Sequence, residues 1–326
     1  MQNTYFPLTM LEIYELSRSL AFFLVKIANY IKSRFAPFIY TGQYTTNRNY
    51  GDALGYWMPI LLGIPQGRLL PKRKVFECQY RQGINLQMVG STLGDMDSRS
   101  IVCGAGAIEQ HQHFPEKPLK VLSVRGPLTR NILLQQGIEC PPVYGDPAML
   151  LPLFYQPVKR KPKYRLGVIP HYVDKETEGV KHLLQSPSTH LIDILLPSNG
   201  LTQMSIARYW KEWIDELCSC AVIVSSSLHG LILAEAYGIP TVWAEFSHEV
   251  NGNGFKFRDY YASIGITPPH PLNFVNTFPT QEQVIAAVTK KDTSLVNPQH
   301  YAAYLRQELT DSTATSLRLF TYFHKK

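Results

Sequence analysis

Ala221 to Ala244 reads AVIVSSSLHGLILAEAYGIPTVWA. Ala221–Ser226 is a short apolar run of the buried-strand type, Gly230 to Tyr237 has the composition of a helix, and Gly238 is a C-terminal stop. Thr241–Ala244 is then a second apolar strand. Two buried strands joined by a single helix pair in parallel, because only a crossover brings the chain back to start a second strand in the same direction. The stretch therefore sets an α/β class. It also leaves polar groups, Ser225, Ser226, Ser227 and His229, where strand gives way to helix.

The same alternation extends in both directions. Ile206, Trp210, Trp213, Ile214 and Leu217 share one face of a helix, and Arg165–Ile169 and Leu191–Leu196 read as strands. Gln156–Tyr164 (QPVKRKPKY) is rich in Pro and Lys and reads as a linker. Upstream, Pro37–Thr41, Ser100–Gly104 and Leu119–Val124 are strands, a helix runs from Pro127 to a stop at Gly137, and Pro142–Tyr144 is a further short strand before Gly145-Asp146-Pro147. The predicted organisation is an N-terminal helical segment over 1–36, a Rossmann-like domain over 37–158, and a second over 159–326 that carries the C-terminal helices. In two facing domains of this kind, ligands lie outside the carboxyl ends of the strands. The loops Gly63–Gln87 and Ser186–Thr202 are expected to shape an acceptor pocket there.

Length agrees with two domains: 326 residues against about 150 per domain. A hydrophobic fraction of 45% excludes wholesale disorder. The five cysteines (Cys78, Cys103, Cys140, Cys218, Cys220) are odd in number and irregularly spaced, which points to free thiols in a reducing, cytoplasmic setting. Cys218 and Cys220 lack a second pair to complete a zinc site, so no metal is expected. The net charge of +7 asks for an anionic partner. Nucleic acid is not that partner, since the basic residues are scattered and no aromatic stacking platform accompanies them. Leu20–Ile31 is apolar but interrupted by Lys26 and shorter than the ~20 residues of a membrane span. It reads either as an amphipathic helix packed on the body, or as an interfacial helix whose Lys26, Lys32 and Arg34 face anionic lipid in peripheral membrane contact. Walker, dinucleotide-fingerprint and serine-elbow motifs are absent, which counts against P-loop, hydride-transfer and ordinary serine-hydrolase chemistry.

Five segments carry candidate chemistry, most of them at strand ends. Asp52, in Asn49-Tyr-Gly-Asp52, suits either a helix cap or a base for a sugar hydroxyl. Arg125 ends a strand immediately before a helix start, where backbone N–H groups already favour an anion and a guanidinium adds a bidentate clamp. His229, before Gly230, is placed for proton transfer. Lys256 and Arg258 follow the glycine-rich Asn251–Gly254 and suit an anion lid, and His171 ends the first strand of the second half. Glu235 is similar to the acidic residue with which two-domain glycosyltransferases hold a nucleotide ribose.

With these residues in place, the chain resembles the polysaccharide pyruvyl transferase family. The segments that carry the resemblance are Asn49–Asp52, Val102–Gly106, Val124–Thr129, Tyr144–Ala148, Ile169–Tyr172, Ser226–Gly230 and Ala236–Pro240, in the family's order over about residues 38 to 265. The resemblance implies a glycosyltransferase-B-like fold, phosphoenolpyruvate as donor, no cofactor, and a pyruvate ketal placed on a hexose of a surface polysaccharide or its lipid-linked precursor. It implies Asp52 and His229 as catalytic residues. It also implies Arg125, Lys256, Arg258, Ser226, Ser227 and Gly104 on the donor side, and Asn49, His171 and Asp146 on the acceptor side. Ser227 departs from the family pattern, which often has Arg two residues before the histidine, and Lys256 and Arg258 are the expected substitutes for that cation. The competing readings are a nucleotide-sugar glycosyltransferase of the same fold and a non-catalytic scaffold of polysaccharide assembly.

Overall fold

A computed structural model describes residues 39–41, 49–64, 69–71, 84–158, 161–196, 203–288 and 297–323. Strands β1 (Ile39–Thr41), β2 (Leu69–Pro71), β3 (Ile84–Gln87), β4 (Ser100–Cys103) and β5 (Lys120–Ser123) form one sheet in the order β2-β1-β3-β4-β5. Strands β6 (Leu166–Ile169), β7 (Thr189–Leu191), β8 (Ile223–Ser225), β9 (Thr241–Glu245) and β10 (Leu272–Asn273) form a second, in the order β10-β9-β8-β6-β7. Every pairing is parallel. Counted from its own first strand, each sheet has the doubly wound order 2-1-3-4-5. The order reverses between β1 and β3 in the first sheet and between β6 and β8 in the second, and those two reversals are where ligands are expected.

The helices are α1 (Tyr50–Leu61), α2 (Pro127–Gln135), α3 (Glu178–Leu184), α4 (Gln203–Leu217), α5 (Leu228–Ala236), α6 (Phe255–Ser263), α7 (Gln281–Ala286) and α8 (Pro298–Phe323). Residues 228–235 of α5 are all buried, as expected of a helix that is apolar on every side. It can lie that close to β8 because residue 230 is glycine: a Cβ there would meet Ser225 Oγ at 2.4 Å. One apolar cluster joins residues from both sheets' surroundings, with Tyr50, Met58, Leu86 and Met88 alongside Trp213, Ile223, Leu231 and Ile232. Tyr50 is its hinge pin. Its ring stacks on Trp213 at 4.2 Å, its hydroxyl donates to Trp210 O at 2.7 Å, and its N–H donates to Ile194 O at 2.8 Å.

Several elements depart from the sequence reading. Gly63–Gln87 is not one loop, because it contains β2 and the central strand β3. The strand expected at Leu191–Leu196 lies earlier, at Thr189–Leu191, and Leu195 makes an isolated antiparallel bridge to Asn49. Pro142–Tyr144 makes a single bridge, Tyr144 to Val124, because the chain turns immediately into a 3-10 helix at Pro147–Leu153. The helix after β8 begins at Leu228 rather than Gly230, which puts His229 in its first turn. The C-terminal helix α8 packs on the first sheet: Tyr301 and Tyr304 donate their hydroxyls to Gly145 O and Leu122 O, and Lys120 pairs with Glu308 at 2.8 Å. The N-terminal segment lies outside the described residues. Among the described residues, no helix is long and apolar enough to cross a membrane.

Candidate active site

The strand ends that flank the two reversals open into one pocket of about 160 Å³, continuous with solvent. Asn49 and Asp52 reach it from the start of α1, Gly90, Ser91 and Thr92 from the end of β3, and His171 and Tyr172 from the end of β6. Ser227 and His229 reach it from the start of α5, and Asn251 and Lys256 from the segment after β9.

Local chemistry fixes each group. Asn49 caps α1: its Oδ1 accepts from Asp52 N at 2.9 Å, and its amide donates back to Asp52 Oδ2. Asp52 is therefore not the cap. It stands three residues in, where its carboxyl faces the pocket and is pushed up to about 7 by burial, against the opposing pull of His229, Lys256 and the Asn49 amide. His229 is held edgewise, since a Cβ at Gly51 would lie 1.8 Å from Nδ1 and one at Gly90 3.3 Å from Cε1. Its Nε2 is buried without a hydrogen bond among the described residues, 3.6 Å from Asp146 Oδ2.

Lys256 is 8% exposed, and its ammonium makes no hydrogen bond to a described residue. Burial first, and then the charge of Arg125, bring it down to about 8, while Asp52 and Asp174 act in the opposite direction. His171 is brought down to about 3 by burial and by the Lys256 charge, so it is a neutral imidazole at neutral pH, and its Nδ1 has no hydrogen-bond partner among the described residues. At the mouth of α5 the Ser227 side chain makes no capping bond, which leaves the first N–H groups of a nine-residue helix facing the pocket.

The pocket thus gathers Asn49, Asp52, His171, Ser227, His229 and Lys256 from the sequence candidates. The others stand elsewhere. Arg125 is fully buried and spends its guanidinium on Asp259, Ser91 and Ala107, so it is not an open anion clamp. Arg258 donates to Asn253 O at 2.8 Å, tethering the glycine-rich turn, and does not itself line the pocket. Asp146 does not face an acceptor. It caps the 3-10 helix through Ala148 N (3.0 Å), accepts Gly90 N (3.2 Å) and backs His229. Ser226 lies beneath the pocket floor, donating to Asp174 at 2.5 Å and accepting from His171 N at 2.9 Å. At Gly104 (φ +112°) the chain packs against Pro147, which a Cβ would meet at 2.2 Å, so this residue shapes the backbone rather than touching the pocket.

Sequence reasoning missed two contributors. Ser91 escaped because β3 was unread, and with it the turn that follows. Asp174 is fully buried at the ends of β6 and β8, accepts from Ser226 and Ser247, and has its carboxyl raised first by desolvation. Its position three residues after His171 was the available signal. Among the described residues, no group of three or more His, Cys, Asp or Glu could hold a metal ion. Glu235, the ribose candidate, accepts from Thr241 Oγ1 at 2.6 Å and Tyr260 OH at 2.8 Å, away from the pocket.

A family model described as polysaccharide pyruvyl transferase matches residues 73–248, which run from before β3 through β9. An uncharacterized protein of Acanthamoeba polyphaga mimivirus is 31% identical over 187 residues, 56% of this chain and 61% of that one. The succinoglycan biosynthesis protein ExoV of Rhizobium meliloti is 25% identical over 226 residues, 67% of this chain and 62% of that one. The chain thus spans about three fifths of the length of these curated relatives. A solved structure of a functionally uncharacterized Klebsiella pneumoniae protein, 15% identical, covers 76% of this chain and 97% of that one at a TM-score of 0.43.

Proposed function

The chain belongs to the polysaccharide pyruvyl transferase family, and on that premise we propose that it moves the enolpyruvyl group of phosphoenolpyruvate onto two hydroxyls of a hexose, forming a pyruvate ketal and releasing phosphate. The acceptor is a hexose-containing surface glycan or its lipid-linked precursor, reached from the cytoplasmic face of the membrane. We place the reaction between two Rossmann-like lobes, over 37–158 and 159–326, in a glycosyltransferase-B-like arrangement. No cofactor takes part.

One observation carries this reading: Lys256, a largely buried side chain whose ammonium makes no hydrogen bond among the described residues, shares a pocket with two proton-exchanging groups, Asp52 and His229. The ammonium has the Phe257 ring 5.6 Å away but no hydrogen bond among the described residues, and a bound anion offsets the cost of desolvating it. The donor offers two anionic groups. Lys256 and the uncapped N–H groups of α5 are the two sites that receive them. Arg125, buried and paired, contributes only its charge.

The proton balance follows. His229 gives a proton to the methylene carbon while Asp52 takes one from the first attacking hydroxyl, so the oxygen adds to the central carbon. The second hydroxyl then displaces phosphate. Its proton returns to His229, and that held by Asp52 leaves on the phosphate. A carboxyl in water is too acidic to reload in this way, but burial brings Asp52 to about 7, where both directions are accessible at neutral pH. Neutral His171, whose Nδ1 has no hydrogen-bond partner among the described residues, and Asn49 are the groups we assign to the acceptor hydroxyls, since both line the pocket. The glycosyltransferase alternative loses its ribose ligand, because both carboxylate oxygens of Glu235 are taken within the fold.

The test is turnover of phosphoenolpyruvate with a panel of lipid-linked and aryl hexosides. Phosphate release together with a ketal methyl signal in the product spectrum is expected. Release of nucleoside diphosphate from a sugar nucleotide, with no phosphate from phosphoenolpyruvate, overturns the reading.

A further inference from the structure

Arg125 and Asp259 form a built joint between the two halves of the chain. Asp259, on α6, accepts from Arg125 Nε at 3.0 Å, from Thr129 N at 3.0 Å and from Thr129 Oγ1 at 2.6 Å. It therefore fills the N-terminus of α2, whose cap residue Gly126 has no side chain of its own to offer. The guanidinium then donates to Ser91 Oγ at 2.7 Å, on the pocket wall, and to Ala107 O at 2.6 Å. Both charged side chains are 0% exposed. The backbones close in around them: a Cβ at Gly126 would lie 2.1 Å from Asp259 O, and one at Gly106 2.3 Å from Arg125 Cζ. Asp259 stands three residues after Lys256, on the same face of α6. The helix is thus pinned one turn away from the ammonium, and the same guanidinium pins Ser91 on the opposite wall.

We propose that Asp259 and Arg125 are positioning residues that hold Lys256 over the pocket and set donor affinity without touching the donor. The inference rests on the phosphoenolpyruvate reading only for the identity of the anion. The charged and titratable groups around Lys256 are Asp52 from α1, His229 from α5, His171 and Asp174 after β6, Arg125 after β5, and Asp259 on its own helix.

Removing Arg125 alone strands a buried carboxylate with nothing to donate to it and is expected to cost the fold; Asp259→Asn leaves the guanidinium without its countercharge but still hydrogen-bonded, so it is paired with a double variant that removes both charges. Asp259→Asn keeps an acceptor for Arg125 and Thr129 but removes a negative charge. The double variant Arg125→Met with Asp259→Leu removes both charges at similar volume. Circular dichroism and thermal melts establish that each is folded. Lys256 is followed by isotope-labelled reductive methylation and nuclear magnetic resonance, its signal assigned by its absence in Lys256→Arg. In each folded variant KM for phosphoenolpyruvate rises ~10-fold, the size of one misplaced charge-assisted hydrogen bond, with kcat within ~2-fold of the parent. The Lys256 titration moves to lower pH in Asp259→Asn and to higher pH in the double variant. Parent KM and parent titration in either folded variant overturn the proposal. If the parent enzyme does not turn over phosphoenolpyruvate, the functional reading fails, while the opposite titration shifts still report on the joint.

Discussion

Asp52 and Lys256 share one pocket, and burial displaces their ionisation toward each other: the carboxyl up from 3.8 to about 7, the ammonium down from 10.5 to about 8. A base that must be ionised and a cation that must stay charged are then both ready over a narrow interval. kcat/KM for pyruvyl transfer is expected to be bell-shaped, with apparent limbs near pH 7 and pH 8 that belong to the coupled set rather than to either residue alone. Asp52→Asn should remove the acid limb and lower the rate by ~10²–10⁴-fold, measured by phosphate release across pH. The same displacement reaches stability. Between 3.8 and about 7 the folded chain holds a proton on Asp52 that the unfolded chain has released, so this contribution is full below 3.8 and lost as pH rises through about 7. Lys256 acts oppositely, its penalty lifting as pH rises from about 8 toward 10.5. Urea midpoints of Asp52→Asn should lack the decline of the parent between pH 4 and 7. A parent-like decline in the variant counts against the assignment. At this scale His229, Asp52 and Lys256 were legible in the sequence, because each stands beside a glycine or a cap at a strand end. Arg125 stands at such an end as well, yet it is turned inward, since the residue that claims it, Asp259, lies 134 positions away along the chain.

Helix α1 sets two local preferences against each other. Replacing Gly51 by alanine inside a helix ordinarily gains up to ~1 kcal/mol of helix propensity. Here the added Cβ would occupy the space of the His229 imidazole, 1.8 Å from Nδ1. Gly51→Ala is therefore expected to keep or raise the helical signal while abolishing pyruvyl transfer, read by circular dichroism and phosphate release on the same sample. An active Gly51→Ala enzyme would remove the packed His229 from the mechanism. The converse logic explains why β3 was not read from sequence. Ile84–Gln87 alternates apolar with amide side chains, a pattern suited to an exposed edge. In the fold all four residues are buried. Only the amide nitrogens find partners, Asn85 Nδ2 donating to Ser100 Oγ at 3.1 Å and Gln87 Nε2 donating weakly to Asp95 O at 3.4 Å, while Asn85 Oδ1 and Gln87 Oε1 are buried without one among the described residues. Such partners lie on neighbouring strands and turns, and no local window contains them. Strands β4, β6, β8 and β9 were legible because their burial is written in unbroken apolar runs.

The two sheets repeat one topology, and the Pro- and Lys-rich Gln156–Tyr164 stretch lies between β5 and β6. What the sequence did not display is how much the two halves share. Tyr50, Met58, Leu86 and Met88 belong to one apolar cluster with Trp213, Ile223, Leu231 and Ile232. Helix α8 returns from the end of the chain to the first sheet, and the Arg125–Asp259 pair is sealed between α2 and α6. Each large apolar side chain fully buried in that cluster stabilises the fold by ~1.5–3 kcal/mol. A handful of them shared between the halves amounts to roughly 7–15 kcal/mol, comparable with the ~5–15 kcal/mol net stability of a typical whole fold, so neither half is expected to unfold while the other stays intact. Scanning calorimetry of the chain should accordingly give a single endotherm, with agreement between calorimetric and van't Hoff enthalpies. Phosphoenolpyruvate at ~100 times its dissociation constant should stabilise the folded state by ~2.7 kcal/mol and move that single transition upward as a whole. Lys256→Met should keep the single transition but lose the upward shift, because the cation that receives the donor is gone while the shared core is untouched. Two separate endotherms, with only one of them responding to the donor, would mean that the shared cluster does not couple the halves.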